Sequence, residues 1–187
     1  VGLTSYGVLR YSLLYLLFRR SRGWPAPARR FADLPVVTVQ LPVFNEVHVI
    51  QRLLDKVSAL DYPKDRLQIQ ILDDSTDETR ELCAAEAGRL QRLGFDVEHR
   101  HRTDRTGFKA GALEAGLASA KGEFLFILDA DFVPPPDILH RMVHFFTDAK
   151  IGMIQTRWGH LNRNVSLLTR VQAMFLDGHL LLEQTAR

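Results

Sequence analysis

The chain has a single cysteine, Cys83, among 187 residues. No disulfide can form within it, and a scaffold held together by cystines is excluded. There is no G-x-G-x-x-G after the first candidate strand and no Walker A run, which argues against a dinucleotide fold or a P-loop enzyme. Charge of one sign is also lacking: the formal net charge is +2. Five arginines, Arg19, Arg20, Arg22, Arg29 and Arg30, crowd one short stretch, and without them the rest is slightly acidic. A general nucleic-acid-binding surface does not fit that distribution. Internal repeats and low-complexity tracts are missing. Only residues 1–18 approach a long apolar run, slightly short of the about 20 residues of a membrane span. No small-residue cleavage site follows them, so a signal peptide fits badly.

What is present is a normal core-forming composition, 46% hydrophobic and 25% charged, with room for one or at most two domains. The chain opens on Val1 rather than methionine, as expected of a fragment. The run "LTSYGVLRYSLLYLLF" carries one charge, Arg10, and reads as the trailing part of a transmembrane helix over 1–20. The arginines that follow place the remainder on the cytoplasmic side by the positive-inside rule. Pro25, Pro27 and Pro35 make 21–35 a linker.

From Val36 the periodicity alternates regularly. "VVTVQL" (36–41), "LQIQILDD" (67–74), "FDVEHRH" (95–101), "EFLFILDAD" (123–131) and "IGMIQTRW" (151–158) read as strands. The fourth is apolar throughout its middle, which predicts a central, parallel strand. Helical spacing appears in Val49, Ile50, Leu53, Leu54 and Val57. It recurs in Leu82, Cys83, Ala87 and Leu90, after a Ser75–Glu78 capping-box spacing, and in Ala110, Leu113, Leu117 and Ala120. Pro135 and Pro136 can open a helix with a face of Ile138, Leu139, Met142, Val143 and Phe146. A last helix carries Leu167, Leu168, Val171, Met174 and Phe175. Alternating strands and helices predict an α/β fold with an open, mostly parallel sheet and flanking helices.

Ligands of such sheets bind beyond the carboxyl ends of the strands, and there this chain gathers carboxylates. "PVFNE" (42–46) ends the first strand, Asp73 and Asp74 the second, Asp129 and Asp131 the fourth. Residues i and i+2 of an extended segment point the same way, so Asp129 and Asp131 could face one point and hold Mg²⁺ or Mn²⁺ between protein and a phosphate. Lys109 and Arg105, near a helix start in "RTGFKAGAL", suit an anionic diphosphate, with Gly107 and Gly111 permitting close approach. Taken singly each feature has a plainer reading: surface aspartates, a helix cap, a solvated lysine. His140 and His144 share a metal-pair spacing but fall on a face expected to be solvated. His99 and His101 share one side of a strand without an obvious partner. Trp158 suits sugar contact or packing, and Cys83 a buried apolar thiol.

"PVFNE", "DDSTDET", "KAGAL" and "DADFVPPPD", in this order, resemble the family 2 glycosyltransferases with the Rossmann-like GT-A fold, over about residues 36–187. The stretch from Gln155 to Gln184 is similar to the membrane-bound cellulose synthase-like branch, the β-glucan and mannan synthases. The resemblance implies an integral membrane enzyme, expected in a bacterial inner membrane. It would move a hexose from a nucleotide sugar of UDP-glucose or GDP-mannose type to a growing β-glycan, with inversion. It assigns Asp131 and Asp129 to the metal and donor phosphate, Asp73 or Asp74 to the donor base, Pro42, Asn45 and Glu46 to the nucleoside loop, and Lys109 to the diphosphate. The general base of that family lies in a motif that does not occur before Arg187, so no residue here takes that role and the piece alone is expected to be inactive. A lipid-linked acceptor is an alternative to a glycan. A sugar-nucleotide pyrophosphorylase would want a glycine-rich, arginine-containing loop where "PVFNE" stands; a noncatalytic binding module is the other rival.

Overall fold

The computed structural model describes residues 2–20, 26–178 and 180. Its elements in chain order are α1 (Gly2–Arg20), β1 (Val37–Val43), α2 (Ile50–Ser58), β2 (Leu67–Asp73), α3 (Thr79–Arg92), β3 (Asp96–His101), α4 (Phe108–Leu117), β4 (Phe124–Ile127), α5 (Ile138–Val143) and α6 (Leu167–Gly178), with 3₁₀ turns at Lys64–Arg66 and His144–Thr147. They fall into two units, Pro27–Ile151 and a second made of Val1–Ala26 with Gly152–Arg187.

The larger unit is built on a four-stranded parallel sheet of order β3-β2-β1-β4. Strand alternation sorts its two faces by chemistry. Val37, Val39, Leu41 and Val43 of β1, with Leu67, Ile69 and Ile71 of β2, join Ile50, Leu53, Leu54 and Val57 of α2 and Cys83, Ala87 and Leu90 of α3 in one buried cluster. The helical residues recur every three or four positions, so each helix presents one apolar stripe to the sheet. Each such aliphatic side chain contributes about 1.5–3 kcal/mol on burial.

The opposite face is polar yet equally buried. Thr38, Gln40, Gln68 and Gln70 alternate with the core residues and are at most 2% exposed. Thr38 Oγ1 donates to Gln68 Oε1 at 2.7 Å and Gln40 Nε2 to Gln70 Oε1 at 3.0 Å. Gln70 Nε2 donates to the Gly116 carbonyl at 3.0 Å and Arg100 Nη1 to that of Ala115 at 3.1 Å. The last carbonyls of a helix have no partner within it; here the sheet supplies donors to those of α4. A Cβ at Gly116 would stand 2.6 Å from Gln40 Nε2 and 3.0 Å from the Leu72 methyls, so glycine is what permits this close seating.

Four expectations from sequence are corrected. The strand expected over 123–131 is only Phe124–Ile127, and among the described residues it lies at an edge of the sheet rather than its centre. Its residues are apolar on both faces, but only the Phe124 and Phe126 side packs on the core, while Leu125 and Ile127 are exposed. Residues 151–158 form no strand: the sheet unit closes at Ile151, and a β-prone run without a partner edge has no ladder to join. The Ser75–Glu78 capping box is not formed. Asp77 Oδ1 instead accepts the Thr79 N–H at 3.0 Å, and Ser75 Oγ is engaged elsewhere. Finally, His144 is buried, not solvated; its Nδ1 accepts the Phe31 N–H at 3.1 Å. Burial, with the charge of Arg30, lowers its pKa.

In the smaller unit α1 is a 19-residue helix with Val8, Tyr11, Tyr15 and Phe18 exposed at helical spacing. Among the described residues no helix is long and apolar enough to cross a membrane. Helix α6 forms where expected, but its face of Leu167, Leu168, Val171, Met174 and Phe175 is exposed, and Ala173 is its buried residue.

Ile69 lies wholly buried in β2 between the ladders to β1 and β3. Ile69→Ala is expected to lower stability by about 2–5 kcal/mol, read as a drop in the urea midpoint at unchanged slope. A loss under about 1 kcal/mol would show that this strand is not at the core.

Candidate functional site

The loops leaving the carboxyl ends of β1 to β4 are tied to one another in sequence. After β1, Asn45 adopts a left-handed backbone (φ 55), a conformation asparagine tolerates better than most residues. Its N–H donates to Ser75 Oγ at 3.0 Å and its Oδ1 accepts the Thr76 N–H at 2.9 Å. The β1 loop is thus fastened to the β2 loop. Pro42 stands in β1 opposite Leu72. Glu46 offers its carbonyl to the N–H groups of Val49 and Ile50, at 3.0 and 3.1 Å, where α2 begins.

The adjacent aspartates after β2 point opposite ways, as strand geometry requires. Asp73 turns to the core side and is fully buried. It accepts the Ser75 N–H at 2.8 Å, and His99 Nε2 lies 3.0 Å and His101 Nδ1 3.4 Å from its Oδ2. His99 therefore has the partner that the sequence did not reveal, whereas His101 Nδ1, though near, is buried without a hydrogen-bond partner among the described residues. Burial pushes the Asp73 carboxyl up, but the hydrogen bonds from His99 and Ser75 outweigh it and hold the pKa at about 2. The ligand atoms of Asp73, Cys83 and His99 lie within 4.8 Å of one another. Burial and the charges of Asp73 and Asp77 push the Cys83 thiol up to about 12.

Asp74 turns the other way and is gripped by Arg102, Nε to Oδ1 at 2.7 Å and Nη2 to Oδ2 at 2.6 Å. Arg102 also donates from Nη2 to the Phe108 carbonyl at 3.1 Å and from Nη1 to that of Thr106 at 3.4 Å. Sequence reasoning missed this residue. The signal for it was positional: with Asp73 in register with His101, the next residue of each strand stands level with the other.

The β3–α4 loop turns on two left-handed residues, Gly107 (φ 74) and Phe108 (φ 49). The Arg105 guanidinium lies 3.2 Å from the Phe44 ring centroid and 5.2 Å from that of Phe108, a cation–π contact linking this loop to the one after β1. A Cβ at Gly111 would collide with the Thr106 carbonyl, so this glycine serves the approach of the loop to its own helix. Lys109, in the first turn of α4, forms an ion pair with Asp129. Asp129 and Asp131 are not in an extended segment, as had been expected; β4 ends at Ile127 and the chain turns, with the Phe132 N–H donating to the Asp129 carbonyl at 3.1 Å. Asp131 is exposed and, among the described residues, has no ion-pair partner. Between the β2 and β3 loops opens a cleft of about 290 Å³ lined by Asp74, Ser75, Thr76, Arg80, Arg102 and Arg105. Trp158 is about half exposed, and His140 lies with its ring 5.5 Å from that of Tyr62.

Residues 38–183 match the family model described as Glycosyl transferase family 2. The chain belongs to that family. Among its relatives, "Probable glucomannan 4-beta-mannosyltransferase 6" of Oryza sativa subsp. japonica is 43% identical over 160 residues, covering 83% of this chain and 28% of that protein. "Glucomannan 4-beta-mannosyltransferase 2" of Arabidopsis thaliana is 41% identical over 158 residues, covering 82% and 30%. The chain thus spans less than a third of the curated relatives it matches. The plant relatives agree with the resemblance to mannan synthases and lend no support to a bacterial inner membrane. Mannosyltransferase PcManGT from Pyrobaculum calidifontis, solved in complex with GDP-Man and Mn2+, is similar in structure with a TM-score of 0.68 and 30% identity, covering 80% of this chain and 44% of that one. The fold is also shared with S. aureus TarS 1-349 at a TM-score of 0.53 and 20% identity.

As a donor set Asp129 and Asp131 offer carboxylate oxygens only, and Asp131 is open to water. Hard cations that retain waters take such donors.

Asp73 supplies a pH test of the buried carboxylate. Its depressed pKa stabilises the fold above the ordinary carboxylate value of 3.8 and is lost as pH falls towards 2. Urea denaturation between pH 5 and pH 2 should show a steeper acid loss in the wild type than in Asp73→Asn. Parallel curves would mean that Asp73 is not held ionised.

Proposed function

We propose that this chain is the donor-binding part of an inverting hexosyltransferase that takes GDP-mannose and extends a β-glycan. One observation carries the reading. An unbroken series of contacts, Asn45–Thr76, Asp74–Arg102–Phe108 and Lys109–Asp129, runs across the carboxyl ends of the strands, in a chain 30% identical to a mannosyltransferase solved with GDP-Man and Mn2+.

The roles follow from charge and position. Pro42 near the end of β1, with Asn45 and Glu46 in the loop after it, lies beside the nucleoside, and Asp74, lining the cleft, accepts hydrogen bonds from the base. Asp73 acts behind it, holding the Ser75 end of that loop. Lys109 is the cation for the diphosphate, a group that departs with added negative charge. Asp131, with Asp129, would hold Mg²⁺ or Mn²⁺, which stabilises the leaving diphosphate as a Lewis acid. Lys109 and the backbone N–H groups at the start of α4 add positive potential on the same side. The acceptor is a glycan hydroxyl, and its deprotonation by a carboxylate base is typically worth about 10²–10⁴ in rate.

Calorimetry with GDP and UDP, with and without Mn²⁺, tests the donor reading. Asp131→Ala should lose at least about tenfold in Mn²⁺-dependent GDP affinity, whereas Arg141→Ala, at an exposed pair with Asp137, should lose nothing. Equal losses would refute the site. Stronger binding of UDP than GDP would move the donor to the UDP-glucose class.

The segment of α1 and the arginines after it are read as a membrane anchor with the sheet on the cytoplasmic side. Residues 36–187 of the membrane-borne protein should then resist protease added to sealed right-side-out vesicles. Cleavage from outside would reverse the orientation.

A further inference from the structure

Arg102 has been given no contact with the donor itself, yet it stands between the two ends of the site. Its guanidinium makes four contacts with two pieces of chain far apart in sequence: both oxygens of Asp74, and the Thr106 and Phe108 carbonyls of the β3–α4 loop. The pair is well shielded, with side-chain exposures of 18% for Arg102 and 4% for Asp74. It differs in kind from exposed pairs such as Lys121–Asp96, at 62% and 45%, which contribute little. A bidentate guanidinium–carboxylate pair fixes orientation as well as charge.

The carbonyls it holds matter as much as the carboxylate. Phe108 is a non-glycine residue with positive φ, a conformation that persists only where its surroundings enforce it. Arg102 Nη2 binds its carbonyl, and the next residue is Lys109, paired with Asp129. We infer that Arg102 is a positioning residue for the nucleotide-sugar donor, holding the base-facing carboxylate Asp74 and the Lys109-bearing loop as one piece. This rests on the donor reading above.

Two consequences follow. With both oxygens turned to the Arg102 guanidinium, the Asp74 carboxylate presents acceptor sites, so the base it takes must present an N–H edge. The spacing between the base end and the Lys109 end is set before the donor arrives, which spares the cost of ordering the loop on binding. Lysine cannot replace arginine here, because one ammonium cannot span both carboxylate oxygens and two carbonyls.

The test uses the full chain, GDP with Mn²⁺ as the probe, and Arg102→Lys, Asp74→Asn, the double variant and Arg141→Ala. Arg102→Lys should weaken GDP binding by about tenfold or more, and the double variant should be no weaker than the worse single one. Independent, multiplying losses would overturn the inference. So would unchanged GDP affinity in Arg102→Lys. Hydrogen exchange gives a second reading without ligand: amides of 103–109 should exchange faster in Arg102→Lys and not in Arg141→Ala, with the amides of β1 and β2 unaffected. If the wild type binds neither GDP nor UDP, the donor reading falls by itself. Arg102 is then judged on exchange: faster exchange confined to 103–109 supports its hold on the loop, and unchanged or global exchange refutes it.

Discussion

Four carboxylates crowd the carboxyl edge of one small sheet, and the arrangement of the whole edge depends on how their charges are answered. Asp73 is met by His99 and the Ser75 N–H, Asp74 by Arg102, and Asp129 by Lys109. A carboxylate taken out of water without a partner either takes up a proton or costs several kcal/mol. These pairs tie β2 to β3 and α4 to the turn after β4, and the Asn45–Thr76 bond adds the loop after β1. Asp131 is the exception: it is exposed and, among the described residues, has no ion-pair partner.

The underside of the sheet makes that edge rigid. An apolar face alone would let α4 slide, since hydrophobic packing has no direction. Gln68, Gln70 and Arg100 instead bond individual carbonyls, Ser119, Gly116 and Ala115, near the end of α4. Hydrogen bonds to named atoms set the register of the helix on the sheet. The first turn, with Lys109, is placed by the same bonds through the stiffness of the helix, and Gly116 lets the backbone come near enough for them to form.

Much of this was legible in the sequence. Period-two and period-3.6 patterns located β1, β2, β3 and the buried stripes of α2 and, Leu82 apart, α3, because their buried residues recur at the geometric repeat of the element; α4 was located but its face was not, since Ala110 and Leu117 are exposed and Ala112 and Gly116 are its buried residues. Asp74, Lys109, Asp129, Asn45 and Glu46 were found from motifs at strand ends, and the structure brings Asn45 to the β2 loop and Lys109 to Asp129. The misreadings share one cause. "IGMIQTRW" has strand propensity, and "LDAD" continues a strand pattern, but a strand exists only where a neighbour supplies the ladder. His99 and His144 looked idle or solvated because their partners, Asp73 and the Phe31 N–H, are 26 and 113 residues away.

For β1 to β3, α2 and α3 the order of side chains along the chain determined the type of element and which face would be apolar, and it determined that acidic and basic groups would collect at strand ends. Those are local properties, set by backbone geometry and by transfer of side chains from water. Which aspartate is buried with histidines and which faces a cleft, that Arg102 joins two loops, and that Lys109 meets Asp129 were decided only by the tertiary structure. The parallel register brings strands far apart in sequence to within hydrogen-bond distance, and that proximity between distant residues is not written in any short stretch of the chain.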